Sequence, residues 1–85
     1  MTGQEALEKI KKEFPEEISG FRNYMELSKA AYETHMDQGY HVLKDMAKEE
    51  FVHAKHLRNI LIKHNMFTPE HEKNWLEAEK EYMAI

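Results

Sequence analysis

Glu50 and His53 are the residues in this sequence whose types and spacing first point to chemistry. They are three positions apart, so on an α-helix they project from one face and can hold the same metal ion. They fill a gap of about two turns in a seam of apolar residues at helical spacing. Burying a carboxylate and an imidazole there is costly unless something pairs with them, which favours a metal site. The seam consists of Leu43, Met46, Ala47, Ala54, Leu57, Ile60 and Leu61.

The Glu-x-x-His spacing is weakly specific by itself. With 16 acidic residues and six His in 85 residues, such a pair is expected about once by chance. Its position on the seam adds weight, and so does Glu17, which falls on the apolar side of the preceding helical pattern. Glu26 falls on the opposite, polar side. The alternative role for Glu17 is an acidic residue in the first turn of a helix, where it favours the helix dipole.

Composition restricts both the ligands and the classes of function. The chain has no cysteine, which excludes disulfides and thiolate metal sites and leaves carboxylates and imidazoles as metal ligands. The formal charge is −4, with acidic and basic residues mixed along the chain, so nucleic acid is not an expected partner. No apolar run reaches the length of a membrane span, and no signal peptide is recognisable. The expected location is the cytoplasm.

Hydrophobic periodicity, with only three Gly and two Pro, predicts an all-α fold in one domain, residues 1–85. Thr2 and Glu5 form a possible capping box for a short first helix, and Pro15 predicts a new helix or a kink near residues 14–15. A long antiparallel helix pair is expected over about residues 15–64. Its turn lies near residues 34–36, with Gly39 as an alternative break.

The last segment carries a strong helix start signal. Thr68 is a suitable N-cap and Pro69 a suitable first helical residue, which predicts a C-terminal helix over about residues 69–83. The predicted architecture is therefore a hairpin of two long helices with a short helix at each end.

If the hairpin turns near residue 35, Glu17 and Glu50 lie at similar heights on adjacent helices and face each other. One chain then supplies Glu17, Glu50 and His53, which is half of a four-helix bundle and half of a metal site. Two chains about a twofold axis double this to four carboxylates and two imidazoles. That ligand set suits two bridged divalent ions, with iron or manganese favoured over zinc.

The order of these residues resembles the ferritin-like helix pair of rubrerythrins over about residues 14–64. The resemblance rests on the 33-residue interval between Glu17 and Glu50 and on a set of flanking residues. It implies a carboxylate-bridged di-iron bundle in which Glu17, Glu50 and His53 are ligands. Because the chain supplies only half of the bundle, it is more similar to half-length members such as encapsulated ferritins, which build the site by dimerising. The flanking residues are Tyr24, Leu27, Ser28, Ala31, residues 46–54 and Leu57.

Three features depart from that family. The cysteine-rich rubredoxin module of rubrerythrin is missing, so peroxidase activity with a built-in electron relay is not implied. His35 occupies the turn where such sequences often have Gly, and Gly39 interrupts the start of the second long helix. No recognisable encapsulin-docking tail follows residues 82–85.

The remaining polar and aromatic residues have simpler expected roles. Glu49, with no helical salt-bridge partner, is expected to be a solvated surface charge. His56 is expected on the bundle flank, solvated or at an interface. Alternatively, it could bind the metal in place of His53 or hydrogen-bond to a ligand. Tyr24 is expected to be a buried tyrosine, although it could also contact a ligand or carry an electron. The other four histidines, His35, His41, His64 and His71, are expected at the surface, and Trp75 and Tyr82 are expected to cover the bundle or contact a further protomer.

The sequence therefore predicts a homodimer or higher homo-oligomer that binds two irons per dimer, with manganese or zinc as alternatives. It would oxidise Fe(II) with oxygen or peroxide as the electron acceptor, in concert with a redox partner that the sequence does not identify. Two alternatives stay open. One is a non-enzymatic helical oligomerisation module in which Glu50 and His53 pair with each other, and the other is a redox-silent structural metal site.

Overall fold

The computed structural model describes residues 2–85, which form three α-helices and, within that range, no strand. Helix α1 spans Gly3–Glu33, α2 spans Asp37–Lys63 and α3 spans Pro69–Met83. The two long helices pack against each other as a hairpin with its turn at residues 34–36. The all-α class, this turn and the start of α3 are as predicted from the sequence.

Of the two predictions for Pro15, a new helix or a kink, the new helix is wrong, because α1 runs through this residue without a separate first helix. A proline inside a helix removes one hydrogen bond and costs about 3 kcal/mol. Its neighbours Phe14 and Ile18 are 0% and 3% exposed, and burying two such side chains offsets a cost of that size, at about 1.5–3 kcal/mol each. Thr2 still caps the helix, since its hydroxyl accepts a hydrogen bond from the Glu5 backbone N–H at 3.1 Å.

Both long helices end in the same way, with one residue in the left-handed conformation. His35 and Asn65 adopt the left-handed conformation, with φ of 59° and 58°. In each case the next N–H reaches back five residues: Met36 donates to Ala31 O and Met66 to Leu61 O, both at 2.8 Å. This is the Schellman type of helix end, which usually carries Gly at the left-handed position. His35 therefore takes the left-handed position that a glycine usually occupies at such a turn.

Helix α3 packs against the hairpin mainly through aromatic rings. The Phe51 ring is stacked on those of Tyr82 and Trp75, with centroids 4.1 and 4.8 Å away. Phe51 is 6% exposed and belongs to the core, although it lies outside the apolar seam that the sequence analysis identified on α2. Trp75 is buried and covers the hairpin as expected. The core consists of Phe14, Ile18, Phe21, Ala47, Phe51, Ala54, Leu61, Trp75 and Ala78.

His71 was expected at the surface, and that prediction is wrong. Its Nδ1 accepts a hydrogen bond from the Thr68 backbone N–H, while the Thr68 hydroxyl accepts one from the His71 N–H, both at 3.1 Å. The His71 ring also packs edge-on against Phe14, with centroids 5.4 Å apart. The imidazole thus takes the place that Glu or Gln usually fills in a capping box. His35, His41 and His64 are exposed, as predicted.

The molecule is flat, with Cα extents of 47 × 26 × 13 Å. Phe51 points to α3, and His53 is two residues later, about 200° around the helix, so it points away from α3. Helix α3 therefore leaves the face of the hairpin that carries His53 uncovered. Within residues 2–85, none of the helices combines the length and the apolar character that crossing a bilayer requires.

Candidate metal centre

Glu17, Glu50 and His53 converge at mid-height of the hairpin. Glu17 lies on α1 and the other two on α2, at similar distances from the turn at residues 34–36. Each side chain offers one metal-binding atom, and these atoms all lie within 4.8 Å of one another. The structure thus brings together the three residues that the sequence selected as ligands.

The three side chains differ in exposure. The Glu17 and Glu50 side chains are 21% and 27% exposed, whereas that of His53 is 56% exposed. His53 Nδ1 is 3.6 Å from Glu17 Oε2 and 3.6 Å from Glu50 Oε1. The two carboxylates therefore lie between the helices, and the imidazole forms the rim of the site on the uncovered face.

Glu17 has the least exposed side chain of the three. Its Oε2 atom is buried and has no hydrogen-bond donor among residues 2–85. Burial raises the pKa of Glu17 from 4.5 to about 7, helped by a hydrogen bond to the Glu50 carboxyl and by the negative charges of Glu50 and Glu13, and opposed by His53. When both carboxyls are ionised, neither has a proton to donate to the other. The two negative charges then lie side by side.

Gly20 is a residue of this site that the sequence analysis missed. A Cβ atom at Gly20 would lie 2.7 Å from Glu50 Oε2, closer than two such atoms can approach without movement. The missing side chain on α1 is therefore what lets the Glu50 carboxylate lie against that helix, one turn from Glu17. The signal in the sequence was a glycine in the interior of a helical pattern, where it costs about 1 kcal/mol relative to alanine and usually has a packing reason.

The structure also decides several neighbouring assignments. Glu17 is in the middle of α1, which begins at Gly3, so it is not a first-turn acid that favours the helix dipole. Glu49 and His56 are exposed, as expected for surface residues, and neither belongs to the converging group. Tyr24 is half-buried and packs against the core.

The donor set fits a divalent cation. Two carboxylates and one imidazole are ligands that iron, manganese and zinc accept. A buried carboxylate oxygen without a protein donor, beside a second carboxylate, is the arrangement that a bound cation would satisfy. Three ligands from one chain leave the coordination shell incomplete on the uncovered face.

Comparison with protein-family models, curated proteins and solved structures gives no match to this chain. The function therefore has to be argued from the geometry of the site and of the surface around it.

Proposed function

We propose that two copies of this chain join their uncovered faces into a four-helix bundle of ferritin-like type. At the shared centre, Glu17, Glu50 and His53 of both copies would hold two iron ions and oxidise Fe(II). The observation that carries this proposal is the convergence of the three side chains, from two helices, around a buried carboxylate oxygen without a donor.

The need for a second copy follows from the exposure of the ligands. A single chain leaves His53 at the rim and supplies three ligands. A twofold axis beside the site doubles the set to four carboxylates and two imidazoles, enough for two ions that share carboxylates. It also buries His53, so that hydrophobic side chains around the site restrict the access of water.

Bound Fe(II) would supply one electron per ion, so two ions would reduce one hydrogen peroxide to two water molecules, or one oxygen to hydrogen peroxide, in each case with the uptake of two protons. The chain would contribute the groups that bind the ions and balance their charge. Glu17 and Glu50 would hold the ions and offset their positive charge, and each would have to be ionised to do so. The neutral imidazole of His53 would complete the ligand set, because metal ligands must be deprotonated.

The experiment is an anaerobic Fe(II) titration of purified protein of known oligomeric mass, followed by exposure to oxygen or peroxide. We expect two irons per dimer and a ferric absorbance that depends on the oxidant. Glu50→Ala and His53→Ala should each abolish stoichiometric binding. Two tight ions per dimer retained in both variants would contradict the proposal.

The chain offers matched controls for these variants. Glu49→Ala removes a neighbouring carboxylate, and His56→Ala removes an imidazole one turn further along α2. Both residues are exposed and outside the converging group, so both variants should bind iron as the unmodified chain does. Loss of binding in all four variants alike would point to a general effect of charge or folding.

A second candidate function rests on the 3.6 Å separations between His53 and the two carboxylates. A protonated imidazole there would neutralise part of the negative charge, and the cluster would then fix the register of a helical oligomer without a metal. A folded dimer whose stability is unchanged by iron would favour this function, since a ligand that binds only the native state must stabilise it. Binding without Fe(II) turnover would instead favour a structural metal such as zinc.

A further inference from the structure

Helix α3 covers only part of the face of the hairpin on which it packs. It has 15 residues, whereas α1 and α2 have 31 and 27, so it is about 20 Å shorter than either long helix. It begins near Phe14, on which His71 packs, and ends near Phe21, against which Tyr82 packs. The part of this face nearest the turn at residues 34–36 therefore lies beyond the end of α3.

A cleft of about 760 Å³ occupies this part of the face. Its apolar and aromatic walls come from Met25 and Tyr32 of α1, Tyr40 of α2 and Ile85, just after α3. The Tyr32 and Tyr40 rings have centroids 5.3 Å apart. Small-molecule sites are typically clefts of about 300–1,000 Å³ with mostly apolar and aromatic walls and a few polar groups. This cleft has the size and the walls for a ring-containing molecule.

Two lysines line the cleft, one from each long helix. Lys29 lies four residues before the end of α1 and Lys44 seven after the start of α2, so their heights differ by about one turn. The Lys44 ammonium group donates a hydrogen bond to the Tyr40 hydroxyl at 3.1 Å. The ion pairs among the described residues involve Arg22 and His53, and neither lysine takes part in them. Both ammonium groups are therefore available to an anion.

The acidic residues of the cleft leave this positive charge in place. Glu81 is paired with Arg22, whose Nε lies 3.2 and 3.3 Å from the two carboxylate oxygens. Glu26 is exposed on the polar side of α1, at the rim of the cleft. The buried polar residue of the lining is Ser28, 3% exposed. Its hydroxyl donates to the Tyr40 carbonyl oxygen at 3.5 Å, where a hydrogen bond is weak, so it can donate to a ligand oxygen instead.

We infer that this cleft binds a small organic anion with a planar, apolar body. The body would lie against the Tyr32 and Tyr40 rings and remove apolar surface from water. The anionic group, a carboxylate, sulfonate or phosphate, would accept charge-assisted hydrogen bonds from Lys29 and Lys44. The cleft is on the α3 side of the hairpin, opposite to the metal centre, so binding would require neither a metal nor a second copy.

Anilinonaphthalene sulfonate is a fluorescent dye of this chemistry and serves as the probe. It is titrated into the chain in the presence of a chelator, beside phenylnaphthylamine, which has the same rings without the sulfonate. We expect a single tight site per chain, with an affinity at least about tenfold higher for the charged dye. Equal affinities for the two dyes would overturn the inference. Because the charged dye also binds loosely packed states, cooperative unfolding is checked for every variant.

The sign of the charge effects distinguishes an anion site from an apolar patch. Lys29→Met and Lys44→Met remove a charge with little loss of length, and each should lower the affinity for the charged dye about fivefold. Glu26→Gln removes a negative charge and should raise that affinity. Lys55→Met is the matched control, since Lys55 is exposed and lies eleven residues after Lys44, outside the cleft. Equal affinities in all three lysine variants would overturn the inference.

Two further variants locate the dye on the molecule. Ala84 is exposed and lines the cleft, so Ala84→Trp should fill it and lower the affinity for the charged dye at least about fivefold. Met46→Gln removes a side chain that is 36% exposed on the uncovered face, and it should leave binding unchanged. The opposite result, loss in Met46→Gln alone, would place the dye at the uncovered face and overturn the inference.

Competition for the bound dye assigns the anionic group. Naphthoate and naphthyl phosphate carry the same rings with a carboxylate or a phosphate, and naphthalene methanol carries them without a charge. We expect at least one of the two anions to displace the dye at a concentration about tenfold lower than naphthalene methanol requires. The anion that competes better identifies the class of ligand. Displacement by all three compounds at the same concentration would mean that the lysines do not recognise an anion, and the inference would be wrong.

Discussion

Gly20 gives the sharpest test of the site at the scale of a single residue. Alanine in a helix interior is favoured over glycine by about 1 kcal/mol, so Gly20→Ala should leave the fold as stable as before or more stable. Its Cβ would, however, displace the Glu50 carboxylate that lies 2.7 Å from that position. We expect metal affinity to fall by about 10–100-fold, the range typical of changes beside a ligand, in an Mn²⁺ or anaerobic Fe(II) titration.

Gly39→Ala is the matched control for Gly20→Ala. A Cβ at Gly39 would make ordinary contacts, at 3.7 Å or more, with Met36 and Ala31. This variant should gain helix stability without any change in metal binding. Equal affinity in the two alanine variants would show that Gly20 does not position the Glu50 carboxylate.

The raised pKa of Glu17 predicts how the metal-free chain responds to pH. The folded chain holds this proton up to about pH 7, whereas the unfolded chain releases it near 4.5. The folded state therefore binds more protons between these values, and its stability should decrease as pH rises through this window. Urea unfolding with a chelator present, at about pH 5 and about pH 8, measures the change. Other carboxyls also contribute to the pH dependence of the free energy of unfolding. The prediction therefore concerns only the part of that dependence that Glu17→Gln removes.

Glu26→Gln is the control for the pH series. Glu26 is exposed on the polar side of α1, so its substitution should leave the pH dependence as it is in the unmodified chain. If Glu17→Gln and Glu26→Gln gave the same curve, the Glu17 carboxyl would not be the group whose proton stabilises the metal-free fold.

At the scale of the helices, periodicity and capping signals predicted most of the fold. Caps and turns depend on a few neighbouring residues. The sequence therefore predicted the start of α3 at Thr68-Pro69, the turn at residues 34–36 and the end of α2. The continuation of α1 through Pro15 was not predicted, because the local cost of the proline is outweighed by long-range burial of Phe14 and Ile18. Sequence spacing does not show whether such burial occurs.

Phe51, which the sequence analysis did not single out, and His71, which it placed at the surface, have the same explanation. Both bury their rings against another part of the chain: Phe51 stacks on Trp75 and Tyr82, and His71 packs on Phe14 while capping its own helix. The position of α3 decides which face of the hairpin becomes core, and the seam of α2 alone did not reveal it. Glu17, Glu50 and His53 were predictable as a group, because their spacing along two helices fixes their heights once the turn is known.

At the scale of the whole molecule, charge links assembly to metal binding. The uncovered face carries the Glu17 and Glu50 carboxyls, with Glu13 close enough to raise the pKa of Glu17. Joining two such faces would bring six acidic groups together in an environment of low dielectric constant. Like charges there repel strongly unless protons or cations neutralise them. We therefore expect the dimer to depend on a divalent cation near neutral pH.

Sedimentation at micromolar concentration tests this dependence. A chelator at about pH 8, above the raised pKa of Glu17, should shift the chain toward the monomer, and added Mn²⁺ should restore the dimer, because an ion that binds only the dimer stabilises it by mass action. Glu49→Ala should respond in the same way, and Glu50→Ala should not respond to Mn²⁺. A dimer that persists in chelator and gains nothing from Mn²⁺ would mean that apolar contacts alone hold the two faces together. Assembly would then not depend on a metal at the cluster, and the proposed link between metal binding and dimerisation would be wrong.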